Sequence, residues 1–179
     1  MDEAVREAAT REFTESGILG FSMDRVASAA GVNRTTIYRR WPSRSELIRS
    51  VIEPMLERYD VAPDTGSVVV DLAVLMRTIR DTSGLPLGRA FTDATVTTAG
   101  ELAALTDAVR DKAMAPFLEV LTRAAGRGEI PSGEVSLRAH LAFFGIVMWR
   151  QTHDSEASDE ECGWLASVVT AAGNQPSNR

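Results

Sequence analysis

The chain has 179 residues, of which 44% are hydrophobic, and its formal net charge at pH 7 is −6. This composition suits a folded protein with a buried core, and the acidic balance argues against a general polyanion binder. No run of eighteen apolar residues occurs and the charged N-terminus is unlike a secretory signal, so neither a membrane span nor export is expected. The single cysteine, Cys162, cannot form an internal disulfide, which favours a reducing, cytoplasmic location.

The first predicted element is an amphipathic helix over residues 2–16. Val5, Ala8, Ala9 and Phe13 recur on one stripe at helical spacing. We expect this stripe to face the core of the N-terminal part of the chain.

Residues 22–47 have the pattern of a helix-turn-helix unit. Val26 lies on the small apolar face of its first helix, and Gly31 stands at the turn, where a helix C-terminus commonly needs a positive φ. Asn33 is a good N-cap for the second helix, and Ile37 falls on the inward face of that helix. Such a unit lays its second helix in the major groove of DNA.

The second helix of this unit is predicted to end near Arg40. Trp41 precedes Pro42, and a residue before proline avoids the α region. Ser43 and Glu46 then form a capping-box pattern that starts another helix at once.

Positive charge is concentrated in the same segment. Residues 32–50 carry five arginines and one glutamate, a net charge of +4, whereas residues 59–179 carry ten basic and sixteen acidic residues. A phosphate backbone would attract the first segment and be repelled by the remainder. The alternative interpretation of the charge is a solvated basic face. The five arginines are Arg34, Arg39, Arg40, Arg44 and Arg49.

Helical periodicity continues through the rest of the chain and predicts an all-α fold of about nine helices. Pro54 should kink or end the helix that follows the capping box. Breaks are predicted at residues 61–66, 83–88 and 127–131, where glycine and proline cluster. The remaining helices are expected over residues 68–79, 87–98, 102–121 (with a bend near Pro116), 135–153 and 158–172.

Residues 3–58 resemble the N-terminal domain of the tetracycline-repressor (TetR) family of bacterial transcription regulators. Trp41 and Arg44 stand where the family usually has phenylalanine and lysine, which are conservative departures. The segments that carry the resemblance are Phe13 and Gly17, Phe21 to Ala27, Ala30-Gly31-Val32, Thr36-Ile37-Tyr38 and Trp41 to Leu47.

The resemblance implies a homodimer that binds a palindromic DNA operator, usually as a repressor released by a small molecule. It implies an N-terminal three-helix DNA-binding domain over residues 1–46, a helical effector-binding and dimerisation domain over 47–173, and a flexible tail over 174–179. By this resemblance, Arg34, Thr35 and Thr36 would contact base edges, and Tyr38 and Arg44 would hold phosphates. Arg39 and Arg40 would lie at the edge of the DNA major groove, and Ser22 and Arg25 would contact the DNA backbone.

The effector pocket and the dimer interface are also expectations from the resemblance. The pocket candidates could equally be plain core, and because they include few charges they favour an uncharged, hydrophobic effector. The pocket candidates are Met76, Phe91, Thr95, Thr98, Phe117, Leu121, Phe143 and Met148, and the interface candidates are Phe144, Met148, Leu165 and Val169.

Catalysis is poorly supported by the residue pattern. His140 and His153 lie thirteen residues apart without metal-ligand neighbours, and the acids of residues 159–161 suit the first turn of a helix. We therefore expect no enzyme activity, metal or cofactor. Two alternatives to the ligand-released repressor remain: a helix-turn-helix regulator without a small-molecule ligand, and a helical binding protein or enzyme with an incidental basic corner.

Overall fold

The computed structural model describes residues 2–95, 102–153 and 155–171. Within these ranges the chain forms nine α-helices and no β-strand, which confirms the predicted all-α class. Short 3-10 turns lie at Glu57–Tyr59 and Ser132–Glu134. The helices are α1 (Asp2–Gly20), α2 (Met23–Ala30), α3 (Arg34–Arg40), α4 (Arg44–Leu56), α5 (Val68–Gly84), α6 (Pro86–Thr95), α7 (Ala103–Gly126), α8 (Val135–Thr152) and α9 (Asp159–Thr170).

The chain divides into two compact units, of which the first comprises residues 1–58 and 81–112. This unit is built around α1, which contacts α2, α4 and α6. The apolar stripe of α1 is buried as predicted, but the helix extends beyond its predicted end at Ser16 to Gly20. Gly17 interrupts it with φ 63° and ψ 179°, a conformation that glycine adopts readily, and the fully buried Ile18 follows.

The corner between α5 and α6 requires a glycine. A Cβ atom added at Gly88 would lie 2.1 Å from the carbonyl oxygen of Thr82, so any side chain there would force the backbone apart. The corner belongs to the first unit, in which α6 contacts α1. The predicted helix over residues 87–98 is observed as α6 up to Thr95, and residues 96–98 lie outside the described part of the chain.

The second unit comprises residues 59–80 and 113–179. Its core contains the fully buried side chains of Leu72, Met76, Phe117 and Leu121. The rings of Phe117 and Phe143 meet edge to face with centroids 5.9 Å apart, a favoured arrangement of aromatic pairs. Burial of these side chains on α5, α7 and α8 supplies the hydrophobic stabilisation of the unit.

A buried arginine joins α8 to the end of α9. The side chain of Arg138 is 7% exposed, and its Nε and Nη2 atoms donate to Oε2 of Glu134 at 2.9 and 2.6 Å. Its Nη1 atom donates to the carbonyl oxygens of Val169 and Ala171, at the C-terminal end of α9. Carbonyls there lack partners within the helix, so Arg138 both satisfies them and ties the two helices together.

The Ser-x-x-Glu pattern of residues 158–161, which is typical of a capping box, forms one at the start of α9. Ser158 accepts a hydrogen bond from the backbone N–H of Glu161, and the Glu161 carboxylate accepts one from the backbone N–H of Ser158. This reciprocal pair satisfies two donors that the helix would otherwise leave unpaired. Arg80 of α5 adds an ion pair to Asp159 at 2.6 Å, which attaches α5 to the same end of α9.

Candidate DNA-binding site

The turn between α2 and α3 forms as its residues predict. Ser22 caps α2 by accepting a hydrogen bond from the backbone N–H of Arg25, and Gly31 ends α2 in the left-handed conformation, with φ 65° and ψ 29°. The Val32 N–H then bonds the carbonyl oxygen of Ala27 at 3.0 Å, which closes the corner. A short turn of defined backbone geometry thereby joins α2 to α3.

Helix α3 buries one residue and exposes a basic face. The Asn33 side chain accepts the N–H of Thr35 at 2.9 Å, and the buried Ile37 anchors the helix to the unit. The helix ends at Arg40, before the buried Trp41, which confirms the predicted end. Five of the predicted DNA contacts on α3 are exposed and Thr36 is half-buried; the five are Arg34, Thr35, Tyr38, Arg39 and Arg40.

A groove lies beside α3, where residues predicted to touch the DNA backbone meet. It has a volume of about 430 Å³ and is lined by residues from the start of α2, from α3 and from the start of α4. Nη1 of Arg44 lies 3.5 Å from the carbonyl oxygen of Leu19, while Ser43 caps α4 by accepting the N–H of Glu46. Hydroxyl groups and an arginine are suitable donors to a phosphate. The lining residues are Ser22, Met23, Asp24, Tyr38, Pro42, Ser43 and Arg44.

Arg25 is engaged within the protein by a glutamate that the sequence analysis missed. Its Nε lies 2.9 Å from Oε1 and 3.0 Å from Oε2 of Glu12, and its Nη2 donates to Glu12, Ser16 and the carbonyl oxygen of Gly20. Glu12 also accepts the backbone N–H of Ser22 at 3.0 Å. The carboxylate therefore fastens the end of α1 to the start of α2. Its position seven residues after Val5 on the buried stripe is a signal that could have identified it.

The Glu12 side chain is 10% exposed, and hydrogen bonds from the Arg25 guanidinium hold the pKa of Glu12 below its usual value. We expect Glu12→Gln to lower the free energy of unfolding at pH 7 by about 1 kcal/mol, since the partner is exposed and screened. The pKa of Glu12 is lower in the folded protein than in the unfolded chain, where it is near 4.5. The ionised carboxylate therefore stabilises the folded protein fully above that pH, and this stabilisation is lost as the pH falls through the folded-state pKa. Urea unfolding at neutral and acidic pH measures this.

The control is Glu15→Gln, a change at an exposed glutamate of the same helix. Glu15→Gln should leave stability nearly unchanged at both pH values. A deficit of Glu12→Gln that stays constant down to acidic pH would contradict the assigned role of the ion pair.

Two arginines of α3 also form ion pairs with acidic side chains. Nε of Arg34 lies 2.9 Å from Oδ1 of Asp24 on α2, and Nη2 of Arg40 lies 2.9 Å from Oδ2 of Asp2 on α1. The guanidinium of Arg34 also stands over the ring of Tyr38, with Cζ 5.3 Å from the ring centroid. These basic and aromatic residues were predicted from sequence as DNA contacts, whereas their acidic partners, Asp24 and Asp2, were not.

The pocket candidates lie in both units. Met76, Phe117, Leu121 and Phe143 are buried in the second unit and Phe91 in the first, whereas Met148 is exposed. Thr98 lies outside the described residues, and so does the side chain of Thr95. A role in effector binding stays a prediction for all of them.

Helix α8 carries an exposed apolar row, which we call the α8 stripe: Leu137, Leu141, Phe144 and Met148. Phe144 and Met148 were interface candidates, and the other two candidates, Leu165 and Val169 of α9, are half-buried. On α9 it is Trp164 and Val168 that are exposed. The spacing of Leu137 and Leu141 with Phe144 is the signal that could have identified the whole stripe from sequence.

The described residues include both histidines and the one cysteine of the chain. No group of three or more His, Cys, Asp or Glu side chains among them is arranged to hold a metal ion. Nδ1 of the exposed His140 lies 2.7 Å from the carbonyl oxygen of Ser136, and His153 stacks on Trp149. Cys162 is buried. Within the same residues, none of the helices has the length and apolar character needed to cross a membrane.

Helix α3 exposes a basic face and is anchored by the buried Ile37, and the capped helix α2 before it ends at Gly31. This arrangement defines a helix-turn-helix DNA-binding protein. Residues 5–51 match the model of the bacterial regulatory proteins of the tetR family. Residues 62–172 match that of a tetracyclin repressor-like C-terminal domain. The chain belongs to the tetR family of transcription regulators.

Individual relatives agree with this assignment. The DNA-binding transcriptional repressor TetR of Mycobacteroides abscessus is 33% identical over 131 residues, which cover 70% of this chain and 68% of that protein. FadR of Bacillus subtilis, solved in complex with stearoyl-CoA, has a TM-score of 0.67 at 19% identity. The match covers 95% of this chain and 96% of the FadR chain. AibR, solved with isovaleryl coenzyme A and operator DNA, has a TM-score of 0.63 at 20% identity, with coverages of 93% and 96%. The two structures share the fold.

Proposed function

We propose that the protein is a repressor that binds a palindromic DNA operator as a homodimer and leaves it when a small hydrophobic effector binds. The observation that carries the proposal is the exposed basic face of α3 above the buried Ile37. We assign DNA binding to residues 1–46 and effector binding and dimerisation to residues 47–173, with the protein acting in the cytoplasm.

The first three residues of α3 are assigned to base edges. Arginine can donate two parallel hydrogen bonds to guanine, and threonine can offer its methyl group to thymine or its hydroxyl to a phosphate. Tyr38, Arg44 and Ser22, which share one groove, are assigned to the phosphate backbone. Arg39 and Arg40 are assigned to the edge of the DNA major groove. Arg25, whose side chain is 58% exposed, is assigned to the DNA backbone while its Nε and Nη2 bond Glu12.

The α8 stripe supports the proposed dimer. Four large apolar side chains on one helix face remain exposed in a single chain, and a soluble protein usually covers such a surface with a partner. A two-fold symmetric dimer also supplies the two reading helices that a palindromic site requires. We therefore place the stripe, together with Trp164 and Val168, in the interface.

Release by an effector requires that the effector bind the form that does not bind DNA more tightly. The apolar core of the second unit, and the stearoyl and isovaleryl chains of the acyl-CoA ligands in the FadR and AibR structures, support an effector with a hydrophobic group. Thermal-shift screening of hydrophobic metabolites should find a compound that stabilises the protein and releases it from its operator.

Selection of bound duplexes from random DNA tests the central proposal. We expect enrichment of one palindromic motif whose half-sites are spaced for a two-fold dimer. Enrichment of no motif would overturn the assignment of α3 to base recognition.

Two arginine substitutions separate base reading from phosphate binding. Arg34→Ala should weaken operator binding by roughly 1–3 kcal/mol and relax the preference at one base pair. Arg44→Ala should weaken binding to all sequences and reduce the slope of log K against log salt by about one. Titration of each variant against single-base operator variants at several salt concentrations measures both effects. Identical profiles for the two variants would contradict these roles.

A further inference from the structure

The guanidinium of Arg34 is held from two directions in the free protein. Nε lies 2.9 Å from Oδ1 of Asp24, and Cζ stands 5.3 Å from the centroid of the Tyr38 ring. The side chains of Arg34 and Asp24 are 64% and 56% exposed, so this arrangement is presented to solvent at the N-terminal end of α3. A long, flexible side chain is thus given a defined orientation before DNA arrives.

The geometry of the ion pair suits the recognition of guanine. Asp24 lies at the Nε side of the guanidinium, and guanine O6 and N7 need two parallel N–H groups, which the terminal nitrogens of arginine can supply. An arginine whose plane is already set loses less conformational entropy when it forms these bonds. Asp24 can therefore strengthen the base contact of Arg34 without itself touching a base.

The location of Asp24 adds a second effect. The residue lines the same groove as Ser22, Tyr38 and Arg44, which are assigned to the phosphate backbone. A carboxylate beside this groove repels phosphates whatever the DNA sequence is, so it lowers the affinity for operator and non-specific DNA alike. Because this repulsion acts on every duplex, only the positioning of Arg34 widens the gap between operator and non-specific DNA.

We propose that Asp24 is a specificity-determining residue, which positions Arg34 for recognition of one base. The proposal rests on the proposed function, because it presupposes that α3 reads an operator. In this proposal an acidic residue on the DNA-binding surface contributes to sequence preference without touching DNA, whereas the arginines around it contact DNA directly.

The chain offers a matched comparison at the other end of α3. Asp2 and Arg40 form an ion pair of the same kind, with the same 2.9 Å separation and with both side chains exposed. Arg40 is assigned to the groove edge and not to a base. Removal of the Asp2 charge should therefore raise affinity for all DNA equally.

The experiment compares Asp24→Asn and Asp2→Asn with the wild-type protein. Dissociation constants are measured for the selected operator, for its single-base variants and for a shuffled duplex, over a range of salt concentrations. For Asp24→Asn we expect the ratio of operator to non-specific affinity to fall by about three- to tenfold, with lost preference confined to the base pair that Arg34 reads. Asp2→Asn should leave that ratio unchanged.

A double-mutant cycle tests whether Asp24 acts through Arg34. In an Arg34→Ala background, Asp24→Asn should no longer change the preference at that base pair, a result that a merely structural role would not give. Asp24→Glu, which keeps the charge, should retain most of the discrimination and serves if Asp24→Asn is poorly folded.

An unchanged affinity ratio in folded Asp24→Asn would overturn the proposal, as would an equal fall in Asp2→Asn. These failures are distinct from failure of the proposed function. In the latter case the wild-type protein would select no operator at all.

Discussion

Leu141→Glu should convert the protein into a folded monomer that binds its operator at least about 100-fold more weakly. Leu141 is 54% exposed in the middle of the α8 stripe, the surface assigned to the dimer interface. In a two-fold interface each substitution occurs in both copies, so two carboxylates would be placed in an apolar contact without partners. Loss of the second reading helix removes a gain in affinity of about 10²–10⁴ that linkage of two half-sites provides.

Sedimentation measures the oligomeric state, and titration with operator DNA measures the affinity. Val70→Glu is the matched control because Val70 is an apolar residue of α5 that is 46% exposed and lies outside the stripe. The control should leave both the oligomeric state and operator binding unchanged. A dimeric Leu141→Glu protein with normal operator affinity would exclude the α8 stripe from the interface.

Arg138→Met should lower the free energy of unfolding by about 3 kcal/mol, because it removes the buried partner of a half-buried carboxylate together with the donor of four hydrogen bonds. Glu134 would lose two hydrogen bonds, and the carbonyls of Val169 and Ala171 at the end of α9 would lose their donor. For a chain of this size the expected fall in Tm is about 6–12 °C. Calorimetry at fixed protein concentration measures it, since dimerisation also affects Tm.

Arg110→Met is the corresponding control at the surface. Arg110 is an arginine of α7 with two acidic partners, Asp107 and Asp111, but its side chain is 44% exposed. Ion pairs in such positions contribute little, and the substitution should cost less than about 1 kcal/mol. Equal losses in the two variants would show that burial of Arg138 is not what makes its contacts stabilising.

The helix-turn-helix was predictable from sequence because its determinants are local. The caps at Asn33 and Ser43 and the turn at Gly31 each depend on residues only a few positions away, and all three form as expected. Local hydrogen bonds and backbone preferences act at this range, so the pattern of residue types is sufficient.

Contacts between distant residues were not predictable in the same way. The Glu12–Arg25 and Asp24–Arg34 pairs depend on how α1, α2 and α3 approach one another, and residue types alone do not give that approach. The sequence also did not distinguish the buried faces of α8 and α9 from the exposed ones, because both helices carry apolar residues on several faces. For this reason Trp164 was not among the interface candidates, although it is exposed.

The exposed row of Leu137, Leu141, Phe144 and Met148 has a consequence for gene dosage. If these side chains hold the DNA-binding form together, assembly is second order in chain concentration. At copy numbers below the dissociation constant of the assembly, halving the number of chains cuts the amount of active regulator about fourfold. The cell would then pass from a silent to a transcribed gene over a narrow range of protein abundance.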